Sequence, residues 1–423
     1  MDLFKKTQKK AIAKNLGILV SGTALAQLVV IGFQVVLRRV YSPADFGAFA
    51  VYMSMVGIIA TISSLRYEQV IILPKDNPTG LNVLKLSVFL SLITFVILLV
   101  AFYLFDNPIV SAINFPVKYK NWLYFIPLSI LIFSISQSLN FYLIRIKSFK
   151  LSASNKLFRR LSEGFVQFLF GIANRSFGLF AGDMVGQLTV IVRTVFKNRD
   201  AFNFSINIDE LKNAAKRYKS FPLKSGVPSL MNALSLLLPI IIINRQFSEQ
   251  VTGFFDLARM VLIIPLSLIT ASLSQVLLQR FAEYRNQKKS IVSEAMGVFI
   301  PLMLFAIVFG IVIKFFGVQL FQFVFGNQWA SSGVYASILV WAFALKFVVS
   351  PFNILFTAFE KIGILSIWQT FYFILILLLN YIPFSSIESF LWAYVIIELV
   401  SYGVAAILNM ILIITYETRL KRQ

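Results

Sequence analysis

Hydrophobic positions along this chain come in long unbroken runs separated by short polar connections, with no sustained alternation. The pattern predicts twelve spans, at 15–37, 46–65, 83–105, 122–144, 157–173, 177–196, 225–244, 251–279, 291–316, 329–350, 362–383 and 388–414. Apolar runs of about 18 residues or more with few charges match the thickness of a bilayer core. That core offers backbone N–H and C=O groups no water, so only helices or closed barrels cross it. Barrel strands alternate apolar and polar positions, so continuous runs choose helices.

A second pattern lies in the polar connections. Arg39, Tyr41, Ser42, Gly47 and Phe49 meet Arg245, Phe247, Ser248, Gly253 and Phe255 at a constant offset of 206, and Gln69-Val70 meets Gln275-Val276 in the same register. An offset close to half of the 423 residues implies a duplicated unit. Six spans per copy is an even number, so both copies enter the membrane in the same orientation. The expected architecture is an all-α integral membrane protein of about twelve helices. Its two six-helix lobes, 1–212 and 213–423, are related by a pseudo-two-fold along the membrane normal, with a site expected where the copies meet near mid-depth.

Composition agrees, at 58% hydrophobic and 13% charged, which excludes a soluble enzyme. The formal charge of +21 points at first to nucleic acid, but its placement argues for topology instead. Counting residues within about one turn of a span end to the nearer side, thirty of the 39 lysines and arginines fall on one side, against seven on the other, with Arg259 and Lys346 left within spans. By the positive-inside rule both termini are expected in the cytoplasm, and the charge also suits anionic headgroups. No cysteine and no histidine are present, so disulfides, thiolate chemistry, His-based metal sites and imidazole catalysis are excluded. No cofactor is expected. Any H+ or Na+ coupling must run through Asp or Glu, and the sequence has no phosphate-binding loop for ATP.

Several local features add detail. The lysine-rich start followed by Ala24-Leu25-Ala26 resembles a signal peptide, but the apolar run continues to Val36, so a retained first helix is expected. Gly17, Ser21, Gly22 and Thr23 in that helix suit close packing. Asp209-Glu210 opens an expected amphipathic surface helix. Pro228 and Pro239 predict a broken or kinked seventh span.

The stretch Leu37 to Phe49, read L-x-R-x-Y-S-P-x-D-F-G-x-F, resembles the O-antigen flippases, the Wzx type of polysaccharide transporter. So do Ser21-Gly22, Arg66-Tyr67-Glu68 before Ile71-Ile72-Leu73-Pro74, and Phe221-Pro222-Leu223. Gly253-Phe254-Phe255-Asp256-Leu257-Ala258-Arg259 with Pro265, and Ser272-Leu273-Ser274-Gln275-Val276, complete the likeness. The resemblance implies membership of the multidrug/oligosaccharidyl-lipid/polysaccharide (MOP) superfamily and an alternating-access bundle. The implied cargo is an undecaprenyl-pyrophosphate-linked O-antigen or capsule repeat unit, moved from the inner to the outer leaflet of the bacterial cytoplasmic membrane. A monomer is expected, with a polysaccharide polymerase and a chain-length regulator as partners. The superfamily also holds lipid II flippases, which commonly carry two further helices, and cation-coupled drug exporters of the MATE type. A MATE-like exporter is the alternative reading. A membrane polymerase or ligase is disfavoured, because no outer connection is long enough to form a catalytic domain.

Moving a diphosphate past hydrocarbon calls for cationic side chains, and a planar guanidinium binds phosphate oxygens in pairs. Arg259 ranks first, about eight residues and so roughly 12 Å into its span; the competing reading is an ion pair with Asp256 three residues earlier. Arg39 and Arg245 occupy equivalent outer helix ends, where snorkelling to headgroups is the ordinary role. Arg38 and Arg66 lie at helix ends, and Lys346 lies about one turn from the inner end of its span, where snorkelling is again expected. Gln27 and Asn232 could bond sugar hydroxyls or simply neighbouring helices. Glu398, near mid-depth, is the candidate proton carrier or a structural acid. Glu163 and Asp183, with Asp256, are further acids; the first two are expected near opposite membrane faces and unpaired.

Overall fold

The computed structural model describes residues 25–199 and 207–422. The Lys-rich start and Gly17 to Thr23 lie outside the described residues, so the expected retained helix is followed only over 25–40, as α1. Every regular element among the described residues is helical. After α1 come α2 (Pro43–Ser63), α3 (Tyr67–Val70), α4 (Asn77–Leu104), α5 (Asp106–Ile113), α6 (Lys120–Leu123), α7 (Ile126–Arg145), α8 (Phe149–Ile172) and α9 (Gly178–Lys197). The second half holds α10 (Ile208–Tyr218), α11 (Ser220–Gln246), α12 (Glu249–Asn286), α13 (Val292–Phe325), α14 (Ala330–Val349), α15 (Ile354–Ala358), α16 (Ile362–Leu378) and α17 (Ile387–Lys421). Among the described residues, eight helices are long and apolar enough to cross a membrane. Among the remaining predicted spans, α8 carries Arg159, Arg160 and Glu163, and α16 has only 17 residues.

The contacts divide the chain into compact units 1–233 and 234–423. The division falls within α11 rather than after residue 212. Amphipathic α10 explains the shift: it lays Leu211 and Ala214 against Val83, Leu84 and Tyr142 in the core of the first unit. The break expected at Pro228 or Pro239 does not interrupt α11, which is helical throughout.

The duplication is legible in local geometry. Ser42 caps α2 by accepting from the Asp45 amide at 3.2 Å, and Ser248 caps α12 by accepting from the Val251 amide at 3.2 Å. Each cap satisfies a donor that the first helical turn leaves free. Short 3-10 turns, Val117–Tyr119 and Asn327–Trp329, precede α7 and α14, and each buries its last aromatic. Asp45 adds a reciprocal bond to the Ser42 amide and takes Lys118 and the Tyr119 hydroxyl as well.

The core of the second unit gathers Leu266, Phe281, Ile291, Leu302, Phe347 and Leu355. Conversely, α4 and α13 leave Val96, Ile97, Val100, Leu304, Val308 and Phe315 exposed. In a membrane such faces meet lipid tails, so their exposure carries no hydrophobic penalty.

Candidate functional site

The densest polar construction in the second unit surrounds Glu398, whose exposure is 0%. Tyr394 and Tyr402 flank it at one helical turn on either side of α17, a spacing that puts all three on one face. The Tyr394 hydroxyl donates to Glu398 Oε1 at 2.7 Å, and the Tyr372 hydroxyl of α16 donates to the same oxygen at 2.6 Å. Lys346 of α14 brings its Nζ to 3.3 Å from Oε2. That ammonium also lies 4.9 Å from the Tyr402 ring centre and 5.6 Å from that of Tyr372, within cation–π range. Trp368 stacks on Tyr372 and donates its indole N–H to the Ser401 carbonyl at 2.7 Å.

Lys346 therefore does not snorkel as its position suggested. A charge in hydrocarbon needs a partner, and Glu398 supplies one at 3.3 Å. Three donors converge on the two carboxylate oxygens, which is how a buried acid is accommodated. Sequence reasoning found both charges but neither their pairing nor the aromatic cage. The signal was Tyr-x-x-x-Glu-x-x-x-Tyr from Tyr394 to Tyr402.

Arg259 stands on α12 within electrostatic reach of Lys346 and Tyr394. Its Nη1 donates to the Leu236 carbonyl of α11 at 2.5 Å, one residue past the Ser235 carbonyl that Pro239, lacking an N–H, cannot bond. This carbonyl, rather than the Asp256 carboxylate, is its contact. Asp256 lies half-buried one turn earlier. Arg245 is exposed and clamps the turn after α16, donating from Nη2 to the Asn380 carbonyl at 2.9 Å. A surface pocket of about 430 Å³ is bounded by Arg245, Gln246 and the 380–384 segment.

In the first unit, Glu163 and Asp183 are not far apart, contrary to expectation. Arg159 lies 3.4 Å from Asp183 Oδ1 and 4.0 Å from Glu163 Oε2, and Arg160 lies 2.8 Å from Glu163. The cause is close packing of α8 on α9. A Cβ on Gly182 would sit 2.8 Å from the Glu163 carbonyl oxygen, and one on Gly186 would sit 3.0 Å from that of Arg159. Gly178, Gly182 and Gly186 form a small-x-x-x-small stripe, which permits such an approach; that stripe was the overlooked signal. Farther along the seam Arg193 bonds Asn155 at 3.1 Å and covers the Phe158 ring at 3.8 Å.

The other candidates are dispersed. Arg38 is buried, 3.6 Å from the centre of the Phe46 ring, while Arg39 is exposed. Gln27 is half-buried on α1 and Asn232 exposed on α11. Arg66 sits in the turn between α2 and α3, 3.4 Å from Glu68.

Several solved structures share this fold. An inward-facing multidrug resistance MATE family transporter of the MOP superfamily has 13% identity and a TM-score of 0.65, with 96% of this chain and 98% of that chain covered. The lipid II flippase MurJ, in an inward closed conformation, has 13% identity and a TM-score of 0.69, with 95% and 91% covered. A MOP superfamily transporter from Pyrococcus furiosus, described as having a binding pocket of reverse polarity, has 14% identity and a TM-score of 0.59, with 97% and 96% covered. At these identities the likeness is one of fold. No curated protein matches the sequence. Residues 36–334 match the family described as polysaccharide biosynthesis protein, well over half of the 423 residues. This multi-pass membrane chain therefore belongs to the polysaccharide biosynthesis protein family.

Proposed function

We propose that the protein is a flippase for undecaprenyl-pyrophosphate-linked oligosaccharide, carrying O-antigen or capsule repeat units from the inner to the outer leaflet of the bacterial cytoplasmic membrane. Both termini face the cytoplasm in this reading, and alternating access moves the cargo. A polysaccharide polymerase and a chain-length regulator act downstream. Family membership supports a glycan-related cargo, and the lipid II flippase fold supports a lipid-linked one.

The observation that carries the reading is Arg259. It is half-buried on the long helix α12, and among the described residues its guanidinium makes one hydrogen bond, to the Leu236 carbonyl. A guanidinium has five N–H donors, so a fork is left for diphosphate oxygens, with the carbonyl holding its orientation. The neighbouring Lys346–Glu398 pair supplies a second cation and an acid able to take up H+ if transport is proton-coupled.

The test is translocation of lipid-linked oligosaccharide in proteoliposomes. Arg259→Ala and Arg259→Lys should each reduce the rate tenfold or more at equal protein content, since lysine cannot reproduce a bidentate contact. Wild-type rates in both variants would overturn the role of Arg259. MATE-like export is the second reading, favoured by the shared fold; transport of a small organic cation without lipid-linked sugar would select it.

A further inference from the structure

The first unit contains a polar cavity that the charge clusters above leave out. Its volume is about 320 Å³, at the lower end of the range for small-molecule sites. It opens where α2 ends. Leu65 and Arg66 both take positive φ, 50° and 66°, and turn the chain into α3. Branched and long side chains rarely adopt that conformation, and here it aims Arg66 and Glu68 into the cavity. The facing wall is one stripe of α7, formed by Phe133, Gln137, Asn140 and Phe141, whose spacing matches a helix face.

The lining is about half polar and half apolar, charge-balanced and incompletely bonded. Glu68 is 8% exposed and accepts from the Ser64 hydroxyl, while its other oxygen lies 3.4 Å from Arg66 Nη1. Arg66 Nε is buried and, among the described residues, has no hydrogen-bond partner. Asn140 Oδ1 accepts from Ser152 at 2.8 Å, which turns its amide N–H donors elsewhere. Gln69 and Gln137 present their amides to the same space.

This chemistry selects among ligands. An apolar guest would strand the buried polar atoms without partners. A phosphate or carboxylate would meet an arginine already neutralised by Glu68. A neutral polyol fits: vicinal hydroxyls pair with the amides, which both donate and accept, and a ring's C–H face lies against Phe133 or Phe141. We propose that this cavity binds one uncharged sugar ring, with Gln69, Gln137, Asn140 and the Arg66–Glu68 pair as its polar contacts. The proposal deepens the flippase reading and rests on its substrate class. It places a sugar-recognition site wholly inside the first unit, and it gives Arg66-Tyr67-Glu68 a role: the pair cancels charge so that the pocket reads hydroxyls.

The experiment is ligand-observed NMR on the full chain in nanodiscs. Neutral hexoses, N-acetylhexosamines, hexuronic acids and inorganic phosphate are each offered at about 10 mM, which reveals a Kd near 1 mM. Neutral hexoses or N-acetylhexosamines should give saturation transfer, and Gln137→Ala and Asn140→Ala should each weaken it at least fivefold. Gln137 is exposed at the cavity mouth, so its truncation leaves the core intact. Arg259→Ala should leave free-sugar binding unchanged while losing translocation, which separates this site from the function proposed above. No saturation transfer from any neutral sugar overturns the proposal. Binding confined to phosphate or uronic acids, or equal binding by the two α7 variants, also overturns it.

Discussion

Lys346 and Glu398 lie 52 residues apart on α14 and α17, and their Nζ and Oε2 atoms meet at 3.3 Å beneath an aromatic cover. Glu398 is fully buried, so its charge depends on this partner. Removing one partner of such a buried pair typically costs about 3–5 kcal/mol, whereas replacing both with apolar residues can be neutral. Glu398→Ala and Lys346→Ala should therefore each lower unfolding stability in detergent by about that amount, and Lys346→Met with Glu398→Leu should recover most of it. Tyr372→Phe should cost less, about 1.5–3 kcal/mol for a bond to a charged group. A double variant as unstable as the sum of its singles would contradict the pairing. Translocation by the stable double variant would mark the pair as structural rather than coupling.

The α8–α9 seam makes a different prediction. Gly182→Ala and Gly186→Ala place a methyl within 2.8–3.0 Å of backbone oxygens, which cannot swing aside as a side chain can. Each should destabilise by about 1–3 kcal/mol and loosen the Arg159–Asp183 contact. Gly403→Ala, with no atom within 4 Å of the added Cβ, is the control. Equal melting temperatures for all three variants would show that the helices are not held this closely.

The repeated caps allow a matched comparison. Ser248→Ala should cost about 1 kcal/mol, the usual value for a lost cap. Ser42→Ala should cost more, because Asp45 loses its reciprocal partner and sits in the network with Lys118 and Tyr119. A larger loss at Ser248 would reverse the ranking.

Orientation can be read with thiol labelling, since the chain has no native cysteine to remove. Single cysteines at Asn174, in the α8–α9 turn, and at Gln328, in the turn before α14, should react with an impermeant reagent in intact cells. One at Ser290, between α12 and α13, should react only after the membrane is opened. The reverse pattern would turn the proposed topology over.

Amphipathic α10 shows how far pattern reading reached. Asp209-Glu210 announced its start, but not that Leu211 and Ala214 would bind it to the first unit and move the division into α11. Glu163 and Asp183 were assigned opposite depths from approximate span ends. Measured from the 173–177 turn they differ by only a few residues, so adjacent antiparallel helices bring them level.

The sequence alone determined that the chain crosses a membrane as helices, that it contains a duplicated unit, and that its positive charge gathers in alternate connections. These follow from local quantities: run length, repeat spacing and the cost of placing charge in hydrocarbon. Only the tertiary structure decided that Lys346 meets Glu398, that Arg259 leans on Leu236, and that Arg66 and Glu68 close around a polar cavity. Such contacts depend on the rotation and depth of neighbouring helices. Those are set by how side chains, and glycines such as Gly182, interlock across the seam, and no run of residues along one helix records them.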